Sequence, residues 1–94
     1  LLTMAGSSLS DLLDFPCDYE FKAFGPNDGA GEFFRQVQAA VSSVVPVAGD
    51  MMKSRTSAKG SYQCVSVVVR LHNESQIKSV YAALRRIEEL KYLL

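Results

Sequence analysis

His72 is the one histidine in the chain, and that alone removes most histidine chemistry. A nucleophilic triad needs a histidine joined to an oriented acid and a nucleophile, and a metal cluster needs it joined to further ligands. Beside Asn73, His72 reads as a surface or helix-capping residue. The carboxylates pair up in sequence as Glu88-Glu89 and as Asp11 with Asp14. General acid–base work needs two carboxyls facing one cleft with their pKa values pushed apart, and neighbours such as Glu88 and Glu89 diverge in direction. All four read as solvated arm and turn positions. Cys17 and Cys64 are too few for a disulfide scaffold and too far apart for a zinc knuckle, so both are expected as reduced thiols. These residues assign no catalytic group, no metal ligand set and no cofactor, and a non-enzymatic protein is expected.

Two segments have residue types suited to holding an anion. Gly25-Pro26-Asn27-Asp28-Gly29-Ala30-Gly31 is glycine-rich and precedes a helix, where backbone N–H groups attract negative charge. It lacks the Lys-Ser/Thr ending of a phosphate loop and the spacing of a dinucleotide fingerprint. A plain turn, with Asn27 or Asp28 capping the helix, is the simpler reading. Lys53, Arg55 and Lys59, interleaved with Ser54, Thr56 and Ser57 and followed by Gly60, gather three positive charges and several hydroxyls around one hairpin. That group suits a phosphate or carboxylate, and equally suits a solvated edge guarded against aggregation.

The elements that position these residues follow from periodicity. Tyr19 to Gly25 alternates, with Tyr19, Phe21 and Ala23 on one face and Glu20, Lys22 and Phe24 on the other, which predicts a strand covered on one side. Phe33, Val37, Ala40, Val41 and Val44 make one helical stripe, ended by Pro46 and Gly49. Met51 to Ser57 is a polar strand suited to a sheet edge, and Ala58-Lys59-Gly60 is a hairpin turn. Ser61 to Leu71 is the strongest strand, with Val65, Val67, Val69 and Leu71 on one side and Tyr62, Cys64, Ser66, Val68 and Arg70 on the other. Asn73 caps a second helix with Gln76 in the capping-box position, and Ile77, Val80, Tyr81, Leu84 and Ile87 form its buried stripe. Leu90 to Leu94 makes a short last strand.

The order is strand, helix, strand, strand, helix, strand. Two helices with one apolar stripe each belong on one face of a four-stranded antiparallel sheet, and right-handed crossovers give the strand order 4-1-3-2. The expected fold is therefore an α+β, ferredoxin-like βαββαβ sandwich over residues 16–94, preceded by a flexible arm over 1–15 with a short helical turn that Pro16 stops. No internal repeat of fixed period is present.

The sequence has 94 residues and balances ten Lys+Arg against ten Asp+Glu, so no overall field draws it to nucleic acid or an anionic membrane. A stacking platform for RNA would need rings where Ser61 and Gln63 stand, and those positions face the helices. No apolar run reaches membrane-spanning length and the opening residues lack a signal-peptide pattern. The expected setting is the cytoplasm, or an organelle interior if a targeting leader has been removed. With the helices on one side, the reverse of the sheet carries Lys22, Phe24, Tyr62, Cys64, Ser66, Val68 and Arg70, a mixed patch suited to a homodimer or another protein partner.

Leu12-Leu13-Asp14-Phe15-Pro16-Cys17 with Lys22 and Gly25, then Ser57-Ala58-Lys59-Gly60-Ser61-Tyr62-Gln63-Cys64-Val65-Ser66-Val67, then Tyr81, Leu84 and the Lys91-to-Leu94 ending, resembles the YbeD-like family of small bacterial proteins of unknown function. The resemblance covers nearly all of the chain after Ser10. It implies a ferredoxin-like fold close to the ACT domains, which bind small metabolites such as amino acids and regulate enzymes, often as dimers. ACT-like domains bind effectors near the loop after strand one, where Gly25, Asn27 and Asp28 lie. The sequence departs from the family pattern at Ala58, where a second serine is usual, and at Cys64, where a small hydroxyl residue is usual. A regulatory or ligand-sensing domain for a small anionic metabolite or a protein partner is therefore expected, with an adaptor or dimerisation module lacking a pocket as the alternative.

Overall fold

The computed structural model describes residues 14–94, so the arm expected over 1–15 lies, up to residue 13, outside the described residues, and Asp11 with it. Strand β1 spans Cys17–Pro26, helix α1 Glu32–Ser42, β2 Met52–Thr56, β3 Tyr62–Leu71, helix α2 Glu74–Arg85 and β4 Tyr92–Leu93. A single 3-10 turn, Gly49–Met51, leads into β2. All pairings are antiparallel and the sheet order is β2-β3-β1-β4, the predicted 4-1-3-2 read from its other edge.

The central pair runs in register from Cys17 opposite Leu71 to Pro26 opposite Tyr62. Alternation then decides the faces. Phe21, Ala23, Val65, Val67, Val69 and Leu71 are buried on one side, against Phe33, Val37 and Val41 of α1 and Ile77, Val80 and Leu84 of α2. Each such aliphatic or aromatic side chain contributes about 1.5–3 kcal/mol on leaving water. Both helices share this layer, which leaves the reverse of the sheet uncovered. At the layer's margin the Tyr19 and Tyr81 hydroxyls bond each other at 3.0 Å, while the Phe21 ring stacks edge-on against Tyr81 at 4.9 Å. Desolvation, then the bond to Tyr19, pushes the Tyr81 phenol up to about 12.

Helix ends differ from the sequence expectation in instructive ways. α1 stops at Ser42, so Val44 joins the core from the following turn, its N–H bonded to the Val41 carbonyl at 3.0 Å. Pro46 keeps the residue before it out of helical geometry, and the chain needs the intervening residues to reach β2. α2 likewise ends at Arg85, and Ile87 packs on the core from beyond it. Its start follows the capping rule, since the Asn73 side chain accepts from the Gln76 N–H at 2.9 Å. Gln76 returns a bond to the backbone N–H of His72 rather than to that of Asn73.

Cys17 shares its face with Phe21, whereas Cys64 lies on the reverse side and seven pairs further along the register. At about 3.3 Å per residue the two thiols are about 20 Å apart, far beyond the reach of a disulfide. Both are free thiols.

Candidate functional site

The uncovered sheet face is built by the same alternation that fills the core. Register places its side chains in rows across the strands. Arg55, Cys64, Phe24 and Tyr92 form one row, with the Phe24 and Tyr92 rings 5.8 Å apart. Lys53, Ser66 and Lys22 form the next, extended by Leu94, whose backbone exchanges hydrogen bonds with Lys22 at 2.8 and 3.0 Å. Val68 and Glu20 follow, and then Arg70 and Asp18, joined at 3.2 Å.

Two depressions lie along this face. One, of about 520 Å³, is walled by Lys22, Lys53, Arg55, Phe24, Cys64 and Ser66, with Glu20 also in its lining. The other, of about 400 Å³, is lined by Asp18, Glu20, Asp50, Met51, Val68 and Arg70, with Lys53 also in its lining. Glu20 and Lys53 border both; beyond them the first adds the cations Lys22 and Arg55, and the second adds the carboxylates Asp18 and Asp50 beside Arg70. Lys22, Lys53 and Arg55 make no ion pair among the described residues. Among those residues the exposed large apolar side chains are Met51, Tyr62, Val68, Tyr92 and Leu94, each at least 38% exposed, and all five belong to this face.

All seven residues expected to form an interface, Lys22, Phe24, Tyr62, Cys64, Ser66, Val68 and Arg70, therefore stand together. The eight expected to hold a ligand separate into two groups. Lys53 and Arg55 stand on the open face, where alternation along β2 turns them away from Ser54, which pairs with Val65 on the helix side. Gly25, Asn27, Asp28, Ser57, Lys59 and Gly60 belong to the end of the sheet where the β1–α1 loop meets the hairpin. There the Asn27 side chain donates to the Gly60 carbonyl at 3.0 Å, and the Asn27 N–H to the Ser61 carbonyl at 3.0 Å. Ser57 is used within the hairpin, its Oγ accepting from the Tyr62 N–H at 3.2 Å.

Asp28 settles the electrostatics of that loop. Its carboxylate accepts from the N–H groups of Ala30, Gly31 and Phe33 at 3.0–3.3 Å. Desolvation alone would push its pKa up, but the backbone N–H groups of Phe33, Ala30, Gly31 and Glu32 outweigh it and hold the carboxyl below the usual carboxylate value. The donors that would greet an external anion at this helix start are thus already taken by the chain's own carboxylate. The sequence pattern allowed either Asn27 or Asp28 as cap, but the N-cap position falls to Gly31, in the left-handed region at φ 76°, with no side-chain cap bond; Asp28 accepts from the Phe33 N–H from three residues further back, and Asn27 makes the hairpin contact.

Sequence reasoning missed Gln63, a buried polar side chain on the helix side. Its Oε1 accepts from the Ser54 hydroxyl at 2.7 Å and its Nε2 donates to the Pro26 carbonyl at 3.0 Å, lacing β2, β3 and the end of β1 together. Sequence reasoning placed Glu20 on the face of Lys22 and Phe24 without counting it among the interface residues, and it missed Asp50, Met51 and Tyr92 as members of the open face. Glu20 was readable from the alternation of β1, while Asp50 and Met51 depend on how the 3-10 turn enters β2. His72 is exposed, as are Glu88 and Glu89. Among the described residues no group of three or more His, Cys, Asp or Glu could hold a metal ion, and no helix is long and apolar enough to cross a membrane.

Comparison with known proteins agrees with this architecture and adds a family. A UPF0250 protein of Shewanella loihica is 39% identical over 92 residues, covering 97% of this chain and 100% of the relative. A UPF0250 protein of Idiomarina loihiensis is 33% identical over 93 residues with the same coverage. The solution structure of protein HP0495 from H. pylori superposes with a TM-score of 0.65 at 12% identity, covering 87% of this chain and 85% of that one, a likeness of fold alone. Residues 10–94 match the family model described as protein of unknown function (DUF493). With that match and relatives aligned over nearly their whole length, the chain belongs to the DUF493, or UPF0250, family, the YbeD-like family that its Phe15-Pro16-Cys17 and Lys59-Gly60 segments resemble.

Proposed function

We propose that this chain is a non-enzymatic regulatory domain that acts by docking a protein partner on its open sheet face. The observation that carries this reading is the placement of Met51, Tyr62, Val68, Tyr92 and Leu94. Exposed large apolar side chains ordinarily scatter over a monomer, and their confinement to one face among polar residues marks an interaction surface. Charged and hydroxyl groups around them, Lys22, Ser66 and Arg70 among others, supply the polar rim that a selective contact needs. The helix side offers no comparable patch among the described residues.

The test is affinity capture from the source cells with the wild-type chain, Val68→Asp and the helix-face variant Lys78→Glu. Proteins held by the wild type and by Lys78→Glu but lost with Val68→Asp support the reading. Capture that survives Val68→Asp and Tyr62→Ser contradicts it.

A second reading has its own observation. Lys22, Lys53 and Arg55 line the depression of about 520 Å³ together with Glu20, and none of the three is in an ion pair among the described residues. That arrangement suits a small carboxylate or phosphate metabolite. Ligand in excess raises the unfolding temperature of the protein that binds it. A thermal-shift screen of amino acids, nucleotides and other organic anions should then give a saturable rise that Arg55→Ala and Lys53→Ala abolish, while Lys59→Ala leaves it intact.

A further inference from the structure

The docking reading leaves the partner open, and the order of charges along the open face identifies one. Resting on that reading, we infer that the face pairs with a second copy of this chain, strands antiparallel, about a two-fold axis lying across the strands between the levels of Ser66 and Val68.

The basic half of the face holds Lys22, Lys53 and Arg55, and the acidic half holds Asp18, Glu20 and Asp50, with Arg70 already bonded to Asp18. The two halves follow one another along the strands, so the face is a dipole. A two-fold axis across the strands exchanges the halves. It sets Lys22 against Glu20 of the second copy and Glu20 against its Lys22, brings the Arg55 end over the Asp50 end, and lays Ser66 over Val68. The alternative face-to-face pairing, with its axis along the strands, sets basic rows against basic rows and repels. An isologous contact needs such self-complementarity.

Size makes the pairing a weak one. Four strands about 4.8 Å apart, ten, ten, five and two residues long, present a face of about 430 Å². Pairing would bury about 850 Å² in total, below a standard interface and within the range of weak, reversible ones. Two sheets stacked in this way pack with strands about 30° from alignment, close enough to keep opposed rows in contact.

Sedimentation velocity of the full chain from micromolar to millimolar concentration, at low and high salt, tests the inference. The result expected is a monomer–dimer equilibrium whose dissociation constant rises at least about tenfold from low to high salt. Lys22→Glu or Glu20→Lys alone should weaken the dimer at least about tenfold by facing like charges, and the two together should restore it. Circular dichroism checks that each variant folds, and Arg55→Glu with Asp50→Arg, both at exposed positions, repeats the exchange should Lys22→Glu not fold. A chain that stays monomeric at millimolar concentration and low salt overturns the inference, as does a dimer that neither single reversal weakens. The two readings fail separately. A monomer that still captures another protein, and loses it with Val68→Asp, ends self-pairing and leaves the docking reading standing. A dimer that persists in Val68→Asp ends self-pairing through this face, and if capture persists in that variant too, both readings end.

Discussion

Gly25 of β1 lies directly against the Phe33 ring of α1, and Gly25→Ala tests how rigidly that junction is packed. A Cβ built on Gly25 runs into the Phe33 ring, which is 1% exposed and wedged among the core residues of α1 and the sheet. The ring cannot swing into solvent, so the extra methyl must displace packed atoms, which costs about 1–3 kcal/mol in a well-filled core. The backbone of Gly25 does not need positive φ, so alanine also restricts the unfolded chain and returns about 0.4–1 kcal/mol. The net expectation is a loss of about 1–2 kcal/mol, read from urea unfolding followed by circular dichroism, with the m value unchanged. Gly49→Ala is the internal control, because nothing lies within 4 Å of its added Cβ and its backbone is equally permissive. Phe33→Leu should cost less in the Gly25→Ala background than in the wild type, since it makes room for the methyl. Equal stability of Gly25→Ala and Gly49→Ala would refute the claim of close packing at this junction.

Other consequences follow from single side chains. Gln63→Ala strands the Pro26 carbonyl and the Ser54 hydroxyl and leaves a cavity, so it should cost about 2–3 kcal/mol, whereas Ser54→Ala should cost about 1 kcal/mol; urea unfolding of both checks the order. Asp28 titrates below its ordinary value in the folded protein, so its contribution is present above the unfolded pKa and fades as pH falls through the lower folded one; Asp28→Asn should flatten the acid limb of stability against pH. Tyr81 behaves in the opposite sense. Its folded pKa of about 12 exceeds the ordinary 10.0, so its contribution is complete below pH 10 and lost as pH rises toward 12, and Tyr19→Phe should bring the phenolate absorbance transition to lower pH.

The face assignments were legible in the sequence because Val65, Val67, Val69 and Leu71 hold one parity of β3 while Tyr62, Cys64, Ser66 and Arg70 hold the other, and burial follows that parity along the whole strand. That alternation, with two single-striped helices, was enough for the strand order. Helix ends were less legible, since Val44 and Ile87 continue the apolar stripe past the last helical residue and periodicity cannot distinguish a buried turn from another helical one. The candidate site was only partly visible. Lys53 and Arg55 are close in sequence to Lys59, but the pleat of β2 puts them on the face of Lys22, about 100 Å of extended chain away in sequence and in the fold separated from Lys53 only by Ser66 of β3. Asn27 and Asp28 are chemically near-equivalent as cap candidates, yet neither takes the N-cap position; Asn27 reaches the hairpin at Gly60 and Asp28 the backbone of Ala30, Gly31 and Phe33. Gln63 was placed on the helix side by parity, but its partners, Ser54 and Pro26, come from two different strands and no local pattern names them.

The central claim is that the reverse of the sheet is the surface through which this protein makes contact. Backbone amide chemical shifts, followed by NMR as the concentration of the labelled chain is raised, test it most directly. The account predicts shifts that move together at Glu20, Lys22, Phe24, Ser66 and Val68, while Arg35 and Lys78 on the outer sides of the helices hold still. Movement concentrated on the helices would contradict it, and no movement anywhere up to millimolar concentration would contradict self-pairing through this face.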